Sequence, residues 1–186
     1  MKYVAFLRGI NVGKNKLILM DDLKVLFSKM GFTNVKTYLR SGNIIFESDD
    51  SNMDELSDRI SNNIEEFLGF YVDCFVKNEN EINSLIKNNP YNNKNNNNYN
   101  NNSVEEIYLS IFKDNINEKL SKELINEFKG IITDDEFVIA EKEIYLLCRS
   151  KYHKTKFNNN YFESKLDNTA TTRNWKTITK IKHMLI

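Results

Sequence analysis

The sequence predicts an α+β protein made of two ferredoxin-like halves. Each is an alpha-beta plait of βαββαβ type with an antiparallel sheet, and the second is modified by a C-terminal helix. Three observations predict this. Over residues 1–87, strand-like apolar runs and helically spaced stripes follow the order β-α-β-β-α-β. The same rhythm restarts near residue 104. Between the two, eleven of the fifteen residues 88–102 are Asn, a composition unable to bury apolar surface. The expected organisation is a ferredoxin-like domain at 1–87, an Asn-rich flexible loop at 88–103 and a second ferredoxin-like-derived domain at 104–186.

Each element has its own signal. "KYVAFLRG" is an apolar, aromatic run ended by Gly9, hence a strand. Leu19, Leu23, Leu26, Phe27 and Met30 recur at helical spacing, and Gly31 ends the helix. "NVKTYLRSGNIIFES" is two strand runs broken by a hairpin turn at Ser41-Gly42-Asn43. Met53, Leu56, Ile60, Ile64 and Phe67 form the next stripe, opened by Ser51-Asn52 and closed by Gly69. "YVDCFVKN" is a fourth strand, and "ENEINSLIKN" a short helix leading to Pro90. In the second half "EEIYLSIF" is a strand, and Ile116, Leu120, Leu124 and Phe128 make a helix stopped by Gly130. "EFVIAEKEIYLLCR" is a hairpin turning near Glu141-Lys142; Phe157, Tyr161, Phe162 and Leu166 make another helix. No clear fourth strand follows. "ATTRNW" is expected to lead straight into a last helix with Thr172 as its N-cap and Trp175, Ile178, Ile181 and Leu185 on its apolar stripe.

Composition bounds the function. Hydrophobic residues make up 40% of the chain, enough for packed cores, and no apolar run approaches the length of a membrane span. The N-terminal apolar run, Tyr3 to Leu7, is too short for a signal peptide, so a cytoplasmic protein with no membrane partner is expected. Cys74 and Cys148 lie in strand-like runs and read as buried free thiols. His153 and His183 have no ligand-spaced partner, so no metal site is expected, and no cofactor is assigned. Net charge is zero, but residues 1–40 carry eight Lys/Arg against two acids, residues 151–186 the same, and residues 41–150 ten against twenty-two. Two basic ends that meet would form a positive patch; scattered solvated lysine is the alternative.

Five arginines stand against twenty-one lysines, so an Arg marks a place where a planar fork is wanted. Arg8, Arg40 and Arg173 each sit beside a Gly, Ser or Asn turn. In the ferredoxin-like order the ends of strands one and two share a sheet edge, which brings "RGINVGKNK" (8–16) beside "RSGN" (40–43). Glycines such as Gly13 and Gly42 let backbone N–H groups approach a ligand, Asn11 and Asn43 are expected to offer it amide donors beside Ser41, and Arg8 and Arg40 suit a phosphate or carboxylate. Thr171, Thr172, Arg173 and Asn174, at an expected helix start, form a second donor cluster. In the competing reading these glycines and asparagines only shape turns, and each Arg pairs with an internal acid. "GINVGKN" is too short for a nucleotide-binding phosphate loop, and Asn15 stands where the magnesium-binding Ser/Thr belongs.

Four functions compete, the last of them a protein-interaction module in which a sheet-edge strand pairs with a partner. The first is a module binding a small phosphorylated or carboxylated ligand, such as a nucleotide. The second is single-stranded RNA binding on an open sheet face through Lys36, Tyr38 and Arg40, which alternate along strand two. The third is an enzyme of unknown reaction. Ser41, Tyr152, His153 and Lys156 are its candidate groups, but no Ser-His-acid or Cys-His set has its members in matching loops, which leaves cationic stabilisation.

Three motifs carry a resemblance: "FLRGINVG" (6–13), "TYLRSGNIIF" (37–46) and "TTRNWKT" (171–177), with lesser matches at "NPY" (89–91), "TKFNN" (155–159) and "YFESKL" (161–166). At these motifs the chain resembles the bacterial family catalogued as domain of unknown function number 1697. The resemblance implies tandem α/β halves of ferredoxin-like character and brings no activity with it. Lys14, Arg40, Lys176 and Asn168 depart from the family pattern; the basic changes add positive charge to the edge, and Lys14 narrows backbone access.

Overall fold

The computed structural model of the 186-residue chain describes residues 1–13, 16–92, 106–149 and 151–186. The expected Asn-rich loop lies largely outside these residues. The chain forms two compact units, Met1–Lys87 with Ile178–Ile186, and Asn88–Thr177. The last nine residues therefore belong with the first unit, although the sequence reading gave all of 104–186 to the second half.

The first unit runs β1 (Lys2–Leu7), α1 (Met20–Lys29), β2 (Thr33–Tyr38), β3 (Asn43–Glu47), α2 (Met53–Leu68), β4 (Cys74–Asn78) and α3 (Glu79–Lys87). Its antiparallel sheet has the order β2-β3-β1-β4, the ferredoxin-like arrangement. Register fixes which side chains share a face. Tyr3, Ala5 and Leu7 of β1 lie with Ile44 and Phe46 of β3 in a core covered by Leu23 and Phe27 of α1 and Leu56, Ile60 and Ile64 of α2. The Phe46 ring stacks on Tyr3 at 5.6 Å and meets Phe32 at 4.5 Å. Helix α2 starts on the Asn52 side chain, which accepts from the Asp54 and Glu55 amides, and ends at left-handed Gly69.

The other face of this sheet is covered as well. Val4, Phe6, Ile45 and Phe75 are buried there, and α3 packs on β1 and β4. Lys36 and Tyr38 project onto this same face, opposite Ile45 and Asn43. That face is thus covered over β1, β3 and β4, while on β2 Lys36 is exposed and Tyr38 half-buried.

The second unit runs β5 (Glu106–Phe112), α4 (Glu118–Lys129), β6 (Glu136–Ile139), β7 (Glu143–Cys148), a 3-10 turn at Tyr152–Lys154, α5 (Asn159–Leu166) and β8 (Ala170–Asn174), followed by α6 (Trp175–Leu185). Its sheet order, β6-β7-β5-β8, repeats that of the first. The expectation of no fourth strand is corrected: 170–174 pair antiparallel with β5 over five residues. Its β-branched Thr171 and Thr172 suit that ladder. The helix begins two residues later than expected, with Asn174 rather than Thr172 taking the cap role by accepting from the Lys176 amide at 2.9 Å. Phe128, Phe137, Phe157 and Phe162 form the aromatic centre of this unit. Two stripe assignments also fail: Leu19 precedes α1 and is exposed, and Phe67 lies at the α2 surface.

Two predictions concern stability. Gly42 has φ +78, and an added Cβ meets Ile10 Cδ1 at 2.7 Å and Leu7 Cβ at 2.8 Å; Gly69 has φ +74 with nothing within 4 Å. In urea titration Gly42→Ala is expected to cost about 2–4 kcal/mol, strain plus overpacking, and Gly69→Ala about 1 kcal/mol from strain alone. Equal losses contradict the close-approach role of Gly42. Burial lifts the Tyr91 hydroxyl from 10.0 to about 12, with Glu136 adding to the rise and Arg149 opposing it. The folded state thus prefers neutral Tyr91, a contribution intact below pH 10 and lost as pH climbs toward 12. Tyr91→Phe should flatten the alkaline fall of the urea midpoint in that window.

Candidate functional site

The two loops predicted to converge in the first unit do meet. The Leu7 amide donates to Gly42 O at 2.8 Å, so the end of β1 and the β2–β3 turn are one continuous hydrogen-bonded edge. Gly42 is in the left-handed region and packs so closely on Leu7 and Ile10 that no side chain fits. Arg8 follows directly, its amide donating to Asp73 O at 2.9 Å.

Asn11 ties the edge together. Its Nδ2 donates to Arg40 O at 2.8 Å and to Ile18 O at 3.0 Å, while its Oδ1 accepts from the Ile18 amide at 2.9 Å. Its own amide donates to Lys16 O at 3.0 Å. One side chain thus joins three chain segments: the loop after β1, the lead into α1 and the β2–β3 turn. Asn43 does similar work inside the turn, donating from Nδ2 to Tyr38 O at 2.7 Å and to Ser41 Oγ at 3.2 Å. The expectation that these two amides point donors at a ligand is corrected: they hold the backbone that carries the arginines. Lys16 Nζ donates to Tyr71 O at 2.7 Å and anchors the far side of the loop.

The edge still presents cationic and backbone groups. Arg40 is exposed, and its guanidinium makes no hydrogen bond or ion pair among the described residues. Gly9, Asn11 and Gly13 have positive φ, at 66, 54 and 61, and alternate with residues of ordinary hand. Backbone of alternating hand turns successive N–H groups toward one side, the geometry of an anion-binding nest. Leu39, just before Arg40, also has positive φ, at 59. A bulky side chain there is strained and is held by the surrounding turn.

The 171–174 cluster has a different nature. These residues form a strand in the second unit rather than a helix start, so no free helix amides accompany them. Arg173 is 7% exposed and pairs across to Leu109. Its Nη1 donates to Thr171 Oγ1 at 2.8 Å and to Thr172 O at 2.9 Å. Thr172, on the opposite face, joins a polar chain: its hydroxyl donates to Asn159 Oδ1 at 2.8 Å and lies 2.7 Å from Ser110 Oγ. Asn159 in turn donates to Ala170 O at 3.1 Å and, from its amide, to the Tyr152 hydroxyl. Burial raises the Tyr152 hydroxyl pKa, against the hydrogen bonds from Thr172 and Asn159. This chain binds α5 and the 3-10 turn to β8. Of the other candidate reactive groups, His153 and Lys156 are exposed, and Ser41 is engaged with Asn43.

Sequence reading missed a buried carboxylate. Asp135 accepts from Thr155 Oγ1 at 2.6 Å and from the Arg149 amide at 2.8 Å, and Arg149 pairs with Glu136 at 2.6 Å. Asp135, Glu136 and Arg149 line an open hollow of about 650 Å³ in the second unit, with Phe128, Ile131 and Asp134. The "TKFNN" match, which contains Thr155 and Asn159, was the available signal: both side chains organise this unit.

Comparisons with known proteins agree with the architecture. The chain is similar over 99% of its length to a solved structure, a conserved bacterial protein SP0830 from Streptococcus pneumoniae, covering 97% of that chain with a TM-score of 0.70 and 24% identity. At that identity the likeness speaks for the fold alone. No curated protein matches. The model of the family described as protein of unknown function DUF1697 matches residues 1–145, well over half of the chain. With its tandem four-stranded sheets and its Arg-Gly-Asn edge, this chain belongs to the DUF1697 family.

Proposed function

We propose that the loop edge of the first unit binds the anionic group, phosphate or carboxylate, of a small ligand. The single observation that carries this reading is Arg40: an exposed guanidinium without a partner among the described residues, on a turn that Asn11 and Gly42 hold rigidly beside Arg8. A backbone held before the ligand arrives has less freedom to lose on binding. The alternating-hand backbone at Gly9, Asn11 and Gly13 supports the same reading, since it adds N–H donors to the guanidinium charge. The second donor cluster at Thr171, Thr172, Arg173 and Asn174 is not part of the proposed site, because it lies on a strand and Arg173 is buried.

The reading is tested by thermal unfolding with inorganic phosphate, nucleotides and sugar phosphates. A ligand at a hundred times its Kd should raise Tm by about 5–10 °C. Arg40→Gln should abolish the rise, and Arg40→Lys should keep only a part of it, because the charge remains while the planar fork is lost. No rise with any anion, or an equal rise in Arg40→Gln, contradicts the proposal. Asn11→Ala should lose both stability and the ligand response, since it frees Arg40 O and Ile18 O from their common donor.

A further inference from the structure

The same loop edge of the first unit displays aliphatic side chains. Val12 is 66% exposed, Leu17 57%, Leu19 67% and Leu39 51%. All four sit beside atoms that Asn11 ties together. Val12 follows Asn11 itself, Leu17 and Leu19 flank Ile18, and Leu39 precedes Arg40. Ile18 is only 4% exposed, so the segment alternates, with Ile18 turned inward and both leucines turned out. Leu39 holds a left-handed backbone that a glycine would adopt without strain. A bulky apolar residue that is both strained and exposed has no role in the core.

We infer that this edge docks on an anionic membrane surface, with Leu17, Leu19, Leu39 and Val12 entering the acyl boundary and Arg40 engaging lipid phosphate. The inference rests on the anion reading above and identifies the source of the anion. Three features favour a membrane over other occupants. The side chains project from separate segments and are each more than half exposed, as insertion into a lipid surface requires. They are aliphatic, suited to acyl chains. A second copy of the chain would bring its own Arg8, Lys16 and Arg40, the basic excess of this edge, onto the same patch. The same excess complements acidic lipid headgroups. The loops also satisfy much of their own backbone, through Leu7 to Gly42, Asn11 to Lys16 and the Asn11 side chain, as a water-poor interface demands. Among the described residues no helix is long and apolar enough to cross a membrane, so the contact is one of surface docking.

Co-sedimentation of the full chain with vesicles tests this. One set is phosphatidylcholine alone and the other is phosphatidylcholine with phosphatidylglycerol in equal parts, each compared with protein spun without vesicles. The expected result is sedimentation with the acidic vesicles only, weakened by salt. Leu39→Gly, which removes the side chain and relieves the strain, should be at least as stable as the parent yet bind acidic vesicles about ten-fold more weakly. Leu17→Ser should act in the same direction, and both variants should keep the Tm rise with inorganic phosphate. Sedimentation without vesicles, no binding to acidic vesicles, or parental binding by Leu39→Gly and Leu17→Ser overturns the inference. The phosphate response, measured on the same samples, shows separately whether the anion reading stands.

Discussion

The candidate site depends on one amide side chain. Asn11 holds Arg40 O, Ile18 O and the Ile18 amide at once, and so fixes three loop segments against one another. Behind it, Gly42 lies against Leu7 and Ile10 so closely that any Cβ collides. These two residues convert a pair of loops into a rigid edge. Rigidity gives the edge its chemical interest, because an arginine on a mobile loop loses on binding most of what its charge gains.

The same economy appears in the second unit with different residues. There Asn159 connects the Tyr152 hydroxyl, Thr172 and Ala170 O, and Asp135 connects Thr155 with Arg149. The two halves of the chain repeat a βαββαβα order, and both units use buried or half-buried polar side chains to lock loops onto sheet ends. In the second unit the polar groups answer one another, as Arg149 with Glu136 does. In the first, the guanidinium of Arg40 is left facing solvent.

Much of the fold was legible because its signals are local. Helix stops at Gly31 and Gly69, the Asn52 cap and the Ser41-Gly42-Asn43 turn can each be read from a few residues. The meeting of residues 8–16 with 40–43 was legible from topology, since the ferredoxin-like order leaves both at one sheet edge. The strand at 170–174 was not. It has only five residues, and both Thr172 and Asn174 are good helix caps, so pairing with β5, a contact about sixty residues away in sequence, decides the matter. The role of Asn11 was hidden for a similar reason: an asparagine in a Gly-rich loop looks the same whether it faces a ligand or a carbonyl. The strain at Leu39 has no sequence signal at all.

Amide and arginine side-chain NMR spectra recorded during titration with inorganic phosphate address the central claim most directly. The account predicts saturable shifts confined to Arg8–Gly13, the Arg40 guanidinium and the Ser41–Gly42 amides, with those of 171–174 unmoved. Shifts centred on Arg173 instead, or none at Arg40 at any phosphate concentration, contradict it.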